Sequence, residues 1–257
     1  MLIADFHNDI LTSEGFSTLN EQYNDNDIVT ALFKGKRSFT EVLSLAKRGR
    51  LIAFEDVGYL DFDYEMAIEL NPVYVGITWN GENQFGYGCD YSFGLKNKGV
   101  ELIRRLNKDG VAVDTAHISK KGFCDVIDLA DTVINSHTCF NGIFKHKRNL
   151  DDWQIKLLLE RGGLIGLTCC GYFMTNVKRC KINDYIDNIM YFYDRYGMDN
   201  LCIGTDFYGT DFLPDGLNTY EGFLSVFDEL LKRGVKKDDI DKFTYGNLNS
   251  FLKLRHK

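Results

Sequence analysis

Short apolar runs alternate with segments of helical periodicity, and this alternation limits the possible folds more than any other feature of the chain. Eight such runs, rich in β-branched residues, lie at 2–6, 29–33, 51–55, 73–78, 111–115, 132–136, 163–168 and 201–206. Strands that alternate with helices form parallel sheets with right-handed crossovers. Eight strands in a chain of 257 residues predict an α/β fold, a (β/α)8 TIM-type barrel that forms one domain over residues 1–257.

Segments with helical periodicity separate most of these runs. They lie at 38–48, 64–70, 97–109, 120–129, 151–161 and 183–196, and two more, 220–233 and 246–254, follow the last run. Residues 10–28 are polar and irregular, so no helix is predicted between the first two strands. An open dinucleotide-binding sheet would require a glycine-rich turn after the first strand. Residues 6–9 read Phe-His-Asn-Asp instead, which argues against that fold.

Composition and charge narrow the class of protein further. A formal net charge of −7 argues against nucleic-acid binding, which normally requires a basic face. The longest apolar stretch, 164–174, is too short to cross a bilayer, so no membrane partner is predicted. Seven cysteines without regular spacing, together with the lack of a secretory signal, predict a cytoplasmic protein with reduced thiols.

Side chains that commonly bind metals stand at the ends of five predicted strands. They are His7 and Asp9, Glu55, His117, His137 and Asp206. In a (β/α)8 barrel these strand ends share one rim, and residues two apart on a strand, such as His7 and Asp9, point the same way. Imidazoles and carboxylates suit Zn²⁺ or a similar divalent ion. Six groups are too many for one tetrahedral site, so the pattern predicts two ions that share a carboxylate.

Each of these residues also has an explanation that involves no metal. A histidine at a strand end is often a hydrogen-bonded structural residue, and Glu55 or Asp206 could cap a following helix. The six residues together favour a metal site, because charged groups gathered above an apolar barrel are costly without a compensating cation. His146 and His256 match no strand end and receive no role.

These motifs resemble those of the membrane (renal-type) dipeptidase family, metal-dependent hydrolases of the amidohydrolase superfamily. Residues 5–9, Asp-Phe-His-Asn-Asp, resemble the Asp-Gly-His-Asn-Asp-type opening of the family. Residues 114–119 resemble its Asp-x-Ser-His-x-Ser block, and residues 148–152 its Arg-Asn-Leu-x-Asp segment. Residues 203–209, Ile-Gly-Thr-Asp-Phe-Tyr-Gly, resemble its Ile-Gly-Ser-Asp-Phe-Asp-Gly. The similarity extends over nearly the whole chain.

The resemblance implies a role for each metal-ligand candidate. His7 and Asp9 would bind one zinc ion, and His117 and His137 would bind a second. Glu55 would bridge the two ions. The implied cofactor is therefore a pair of Zn²⁺ or similar divalent ions.

The resemblance also implies residues that act on the substrate. Asp206 would sit beside the metal-bridging water, as a base and then an acid, and Arg148 would hold the substrate carboxylate. The alternative for Arg148 is a surface salt bridge with a neighbouring aspartate, at 151 or 152. Tyr172 lies near the position of a substrate-contacting tyrosine in the family. Where the family often has a histidine after the fourth strand, this chain has Trp79, so zinc alone, Asn80 or the Trp79 indole would polarise the substrate carbonyl.

The implied function is that of a zinc-dependent dipeptidase. Its substrates would be dipeptides with a free C-terminal carboxylate, hydrolysed by a hydroxide that bridges the two ions. One alternative is an amidohydrolase that acts on another small amide, a lactam or an ester. A second alternative is a catalytically inactive metal-binding barrel. The sequence leaves a monomer and a homodimer both open, as well as the physiological metal and the preferred substrate side chains and their stereochemistry.

Overall fold

Eight parallel strands close into a barrel in chain order, which confirms the predicted (β/α)8 architecture. The computed structural model describes residues 2–12, 27–33, 37–47, 51–58 and 63–255. The strands are β1 (Ala4–Asn8), β2 (Asp27–Leu32), β3 (Leu51–Phe54), β4 (Tyr74–Gly76), β5 (Ala112–Asp114), β6 (Val133–Thr138), β7 (Ile165–Leu167) and β8 (Leu201–Ile203). Pairing of Asp5 with Ile203 joins the first strand to the last and closes the sheet.

Helices follow most of the strands along the chain, at the positions that the helical periodicity predicts. They are α1 (Phe39–Ala46), α2 (Tyr64–Ile68), α3 (Asn97–Lys108), α4 (Lys120–Leu129), α5 (Asp152–Glu160), α6 (Ile182–Tyr196), α7 (Phe223–Lys232), α8 (Lys237–Asp241) and α9 (Asn247–Arg255). Short 3-10 turns lie at Gly171–Phe173 and Tyr220–Gly222, and a π turn at Lys242–Gly246 precedes α9. Helix α8 is absent from the predicted pattern because Ile240 is its one buried residue, which leaves no apolar periodicity to detect.

Several strands end before their apolar runs do. The run 201–206 contains β8, which ends at Ile203, and the chain then turns out of the sheet at Asp206 with φ 61°. The run 73–78 contains β4, which ends at Gly76. Most of the irregular stretch predicted at 10–28 lies outside the described residues. The extent of the domain, 1–257, stays a prediction for the same reason.

Apolar side chains fill the barrel from the end where the strands begin. The ring of Phe6 meets that of Tyr74 edge-on at 5.4 Å between centroids, and that of Phe251 in α9 at 5.5 Å. Leu248 and Leu252 of α9 are buried in the same cluster. Helix α9 therefore closes this end of the barrel, and the polar chemistry is confined to the other end.

Two further observations concern the cysteines and the lengths of the helices. All seven cysteines lie in the described part of the chain and are free thiols, and Cys169 and Cys170 are buried. Among the described helices, none is both long enough and apolar enough to cross a membrane.

Candidate metal centre

The six predicted metal-site residues meet at the rim where the strands end. His7 lies within β1 and His137 within β6, whereas Glu55 directly follows β3. Potential ligand atoms of His7, Glu55 and His137 all lie within 4.8 Å of one another, and those of His7, Asp9 and Asp206 form a second such group. Because His7 belongs to both groups, the two sets adjoin.

Imidazole nitrogens and carboxylate oxygens face one another at short distances in this cluster. His117 Nε2 lies 2.8 Å from Glu55 Oε1 and 2.9 Å from His137 Nε2. His137 Nε2 lies 3.8 Å from the same Glu55 oxygen. His7 Nε2 lies 3.9 Å from Asp9 Oδ2 and 3.8 Å from Asp206 Oδ1. Each histidine thus presents Nε2 to the centre of the cluster.

Hydrogen bonds at Nδ1 of each ring explain why Nε2 carries the lone pair. His117 Nδ1 lies 2.8 Å from Asn80 Oδ1, an oxygen that can only accept, so the hydrogen is on Nδ1. His7 Nδ1 lies 2.8 Å from the Tyr74 hydroxyl. His137 Nδ1 lies 2.8 Å from Ser136 Oγ. A neutral ring with its hydrogen on Nδ1 keeps a lone pair on Nε2, which is the form that binds a metal.

The donor set fits divalent cations. Within the described residues, His7 Nε2 and Asp9 Oδ1 are buried and have no hydrogen-bond partner. Two lone-pair nitrogens 2.9 Å apart, as in His117 and His137, repel each other unless a positive charge lies beside them. Three imidazoles and three carboxylates are the ligands that zinc and similar ions prefer. Cations bound here would satisfy these buried acceptors.

Burial also shifts the pKa values of these histidines and carboxylates. Burial lowers the pKa of His7 to about 4, and it lowers the pKa of His117 and His137 well below the usual value. These rings are therefore neutral near pH 7. Burial raises the pKa of Asp9, and the neighbouring charges of Glu55 and Asp206 raise it further.

Backbone conformation at the rim is unusual as well. His117 and Asp206 have φ values of 66° and 61°, in the left-handed region that non-glycine residues rarely adopt. A Cβ at Gly209 would lie 2.1 Å from Asp9 Oδ2 and 2.2 Å from Asp206 Oδ1, so only glycine allows this loop to approach the two carboxylates. Strain of this kind is often found at functional sites.

A cavity of about 410 Å³ opens above the cluster, a size suited to a small ligand. Four of the six predicted metal-site residues reach its surface: Asp9, Glu55, His117 and Asp206. Its other walls are largely aromatic, with the rings of Phe33, Trp79, Tyr172, Phe173 and Tyr208. The cavity therefore combines a polar floor with apolar sides.

The predicted substrate residues Trp79, Asn80 and Tyr172 all line this cavity. The Trp79 ring is 41% exposed and stacks beside the His117 ring at 5.8 Å between centroids. The Tyr172 hydroxyl donates to Asp211 Oδ1 at 3.1 Å. Asn80 has a further role that sequence reasoning missed, since its side-chain oxygen orients His117.

Arg148 is buried at the metal cluster. Its Nη2 lies 2.8 Å from His137 Nε2, and its guanidinium lies over the Phe173 ring at 5.2 Å. Asp151 instead accepts hydrogen bonds from Lys120 and Asn141. No carboxylate of the described residues forms an ion pair with Arg148, so the alternative of a surface salt bridge is wrong.

A second guanidinium at the cavity was missed by sequence reasoning. Arg37 lines the cavity, and its Nη2 donates to the Thr12 carbonyl at 2.7 Å. Arg37 lies five residues beyond the end of β2, a strand for which the sequence predicts no metal ligand. The ligands were predicted from their positions at strand ends. Applying the same search to the loops that follow the strands could have found Arg37.

Comparisons with known proteins identify the family of this chain. The sequence profile of the membrane dipeptidase family, peptidase family M19, matches residues 55–254. A closed (β/α)8 barrel is also the fold of a solved metallopeptidase of that family. The chain belongs to the membrane dipeptidase family, which confirms the resemblance, and membership implies a divalent metal.

Individual relatives show how far the similarity extends. The chain is 27% identical over 163 residues to dipeptidase tcpJ of Claviceps purpurea, which covers 62% of this chain and 38% of the relative. The structure of dipeptidase AC, a metallopeptidase of family M19, superposes with a TM-score of 0.83 at 19% identity over 98% of both chains. A Rhodobacter sphaeroides metallopeptidase bound to a phosphinate mimic of L-Ala-D-Ala superposes with a TM-score of 0.81 at 18% identity, over 98% of this chain and 99% of that one. These two structures support the fold.

Proposed function

We propose that this protein is a metal-dependent dipeptidase that hydrolyses dipeptides with a free C-terminal carboxylate. One observation carries the proposal: six imidazole and carboxylate groups converge beneath a cavity of about 410 Å³, and four of them line it. A dipeptide fits a cavity of this size, and a larger peptide would have to extend beyond its aromatic walls. Family membership supports the same reaction class.

Two ions, Zn²⁺ or similar, would be held by five of these residues. His7 and Asp9 would hold one ion and His117 and His137 the other, with Glu55 between them. The position of Glu55 supports a place for it in both sets, because its carboxylate lies 2.8 Å from His117 Nε2 and within 4.8 Å of potential ligand atoms of His7 and His137. When bound, such ions lower the pKa of a coordinated water and polarise a substrate carbonyl.

Asp206 would move the proton. Its carboxylate lines the cavity beside the cluster, with Oδ1 3.8 Å from His7 Nε2. From there it can accept a proton from the attacking water and deliver that proton to the departing amine. Gly209 keeps the Asp206 carboxylate close to that of Asp9, because any larger residue would separate the loop from both.

Arg148 would hold the C-terminal carboxylate of the substrate. The guanidinium is adjacent to His137, and its Nε has no hydrogen-bond partner among the described residues. A planar fork with unused donors matches a carboxylate with two hydrogen bonds. Arg37, on the cavity wall, would contact the substrate further from the ions. Trp79 and Tyr172 would flank the substrate side chains, and Asn80 would act on the carbonyl or through His117.

Metal analysis combined with a substrate panel tests the proposal. The metal-stripped protein is titrated with zinc and assayed on L,L and L,D dipeptides and on the same dipeptides amidated at the C-terminus. We expect two equivalents of zinc, hydrolysis of the free dipeptides and at least a tenfold loss of kcat/KM on amidation. Two bound ions without dipeptide hydrolysis would instead favour another small amide, lactam or ester as the substrate. Binding of fewer than one equivalent would overturn the metal centre.

A further inference from the structure

Ser136 of β6 is a fully buried hydroxyl that connects two candidate metal ligands to one carboxylate. Its Oγ lies 2.8 Å from His137 Nδ1 and 3.3 Å from His7 Nδ1. The same atom lies 2.6 Å from Asp114 Oδ2. The proposed function gives no role to Ser136 or Asp114, so it does not explain this buried network.

The two oxygens of Asp114 have different partners. Oδ1 accepts hydrogen bonds from the backbone N–H of Ala116 at 3.0 Å and from that of Ser136 at 2.9 Å. Oδ2 faces the Ser136 hydroxyl. A carboxylate has no hydrogen to give, so the single hydrogen of Ser136 must point to Oδ2. Ser136 Oγ can then only accept from His137, which requires the hydrogen of that ring to be on Nδ1.

Two further contacts agree with this assignment. Arg148, which has donors only, lies 2.8 Å from His137 Nε2, so that nitrogen is an acceptor. The Tyr74 hydroxyl donates to the Phe6 carbonyl at 3.1 Å and therefore accepts from His7 Nδ1. The hydrogen-bond directions below the cluster thus leave a lone pair, and no hydrogen, on Nε2 of both rings.

We propose that Asp114 is a positioning residue which, through Ser136, fixes His137 in the tautomer that binds a metal ion. This inference rests on the metal-binding part of the proposed function and extends it beyond the ligands themselves. Partners behind a ligating histidine commonly set its tautomer and change metal affinity by about 10–100-fold when they are removed. Asp114 acts here through one intervening hydroxyl.

The substitution Asp114→Asn separates this role from a merely structural one. The two backbone N–H donors keep the amide oxygen on their side, so the new NH₂ group faces Ser136 Oγ and donates to it. The Ser136 hydrogen must then turn towards His137 Nδ1 or His7 Nδ1. Whichever ring accepts it has its own hydrogen on Nε2, where it blocks metal binding.

Nitrogen-15 NMR of the metal-free protein with labelled histidine tests the tautomer directly. His137 resonances are assigned by comparison with His137→Gln. We expect the hydrogen on Nδ1 of His137 in the wild type, and on Nε2 of His137 or His7 in Asp114→Asn. Competition with a zinc-chelating indicator should show about 10–100-fold weaker zinc binding in Asp114→Asn. An unchanged tautomer with unchanged zinc affinity would overturn the proposal.

A second variant and a control keep the test decisive. In Asp114→Asn/Ser136→Ala the hydroxyl that would donate to the ring is gone, so we expect zinc affinity to recover in part relative to Asp114→Asn. A purely structural role predicts no recovery, and that result would also overturn the proposal. Asp152→Asn is the matched control, because Asp152 accepts from the Tyr191 hydroxyl at 2.5 Å, remote from the cluster. Its zinc affinity should equal that of the wild type.

The readouts distinguish this inference from the function on which it rests. If the wild type binds zinc with the expected tautomer and hydrolyses no dipeptide, the dipeptidase assignment fails and the role of Asp114 stands. If Asp114→Asn does not fold, Ser136→Ala replaces it. We expect that variant to show both tautomers of His137 and weaker zinc binding, and a single Nδ1–H tautomer with unchanged affinity would contradict the proposal.

Discussion

The two ends of the barrel bury different kinds of side chain, apolar ones at one end and polar ones at the other. Where the strands begin, the rings of Phe6 and Phe251 and the leucines of α9 pack together in an apolar cluster. Where the strands end, imidazoles and carboxylates are buried to a similar extent but face one another as acceptors. Apolar burial at the base, the end where the strands begin, stabilises the fold. The buried ligand set at the rim, where the strands end, lowers stability. Substitutions at the two ends should therefore affect different measurements.

The largest effect is expected at the rim, from Asp206→Asn. The amide cannot accept the proton that the reaction releases, so kcat should fall by about 10²–10⁴-fold. Zinc content should stay at the wild-type value, because Asp206 is not among the five proposed ligands. Steady-state kinetics with metal analysis of the same sample measures both quantities. Turnover equal to that of the wild type would refute the role of Asp206.

At the base, Leu248→Ala should lower stability and leave the chemistry unchanged. Leu248 is fully buried, and its truncation leaves a cavity that costs about 2–5 kcal/mol in the free energy of unfolding. Denaturant titration of the zinc-loaded protein measures this loss, and kcat/KM is measured well below the unfolding midpoint. A large fall in kcat/KM with the fold intact would show that the two ends are not independent.

Arg148→Lys should have a smaller effect than Asp206→Asn or Leu248→Ala, and it should act on substrate binding. Lysine keeps the charge and loses the planar fork, so about 1.5–3 kcal/mol of charge-assisted hydrogen bonding is at risk. We expect kcat/KM for free dipeptides to fall by about 10–150-fold and that for amidated ones to change little. Arg37→Lys is the matched comparison and should have a smaller effect. The reverse order would assign the substrate carboxylate to Arg37.

The smallest effect is expected for Asp9→Asn in the metal-free protein, and its sign is a gain. Burial and the neighbouring carboxylates raise the pKa of Asp9 in the folded state, so the cost of holding its charge makes Asp9 destabilising to the fold at pH 8. The amide removes that charge and should raise the unfolding temperature by about 2–4 °C for each kcal/mol gained.

The pH dependence of this gain provides its check. As the pH falls through the raised folded pKa towards the ordinary value, Asp9 of the wild type takes up a proton and the advantage of Asn shrinks. Thermal unfolding in a chelator at pH 8 and pH 5 compares the two proteins. A variant that is less stable than the wild type at pH 8 would mean that the rim is not under electrostatic strain without metal.

Much of the rim was predictable because barrel topology turns positions in the sequence into positions in space. His7, Glu55, His117, His137 and Asp206 follow separate apolar runs, and the closed parallel barrel brings the ends of those runs together. That rule was applied only to strand ends, so it did not reach Arg37, which lies five residues beyond β2. The salt-bridge alternative for Arg148 likewise considered only residues nearby in the sequence. The structure instead buries Arg148 beside His137.

The sequence by itself determined the barrel, its strand order and the group of metal-ligand side chains at one end, because apolar periodicity and strand-end position are local properties. Only the tertiary structure decided which atoms of those side chains face the cluster. Tyr74 lies 67 residues from His7, Asp114 lies 22 residues from Ser136, and Asn80 lies 37 residues from His117. Hydrogen-bond directions between such distant partners depend on the packing of separate strands, and no local pattern encodes them.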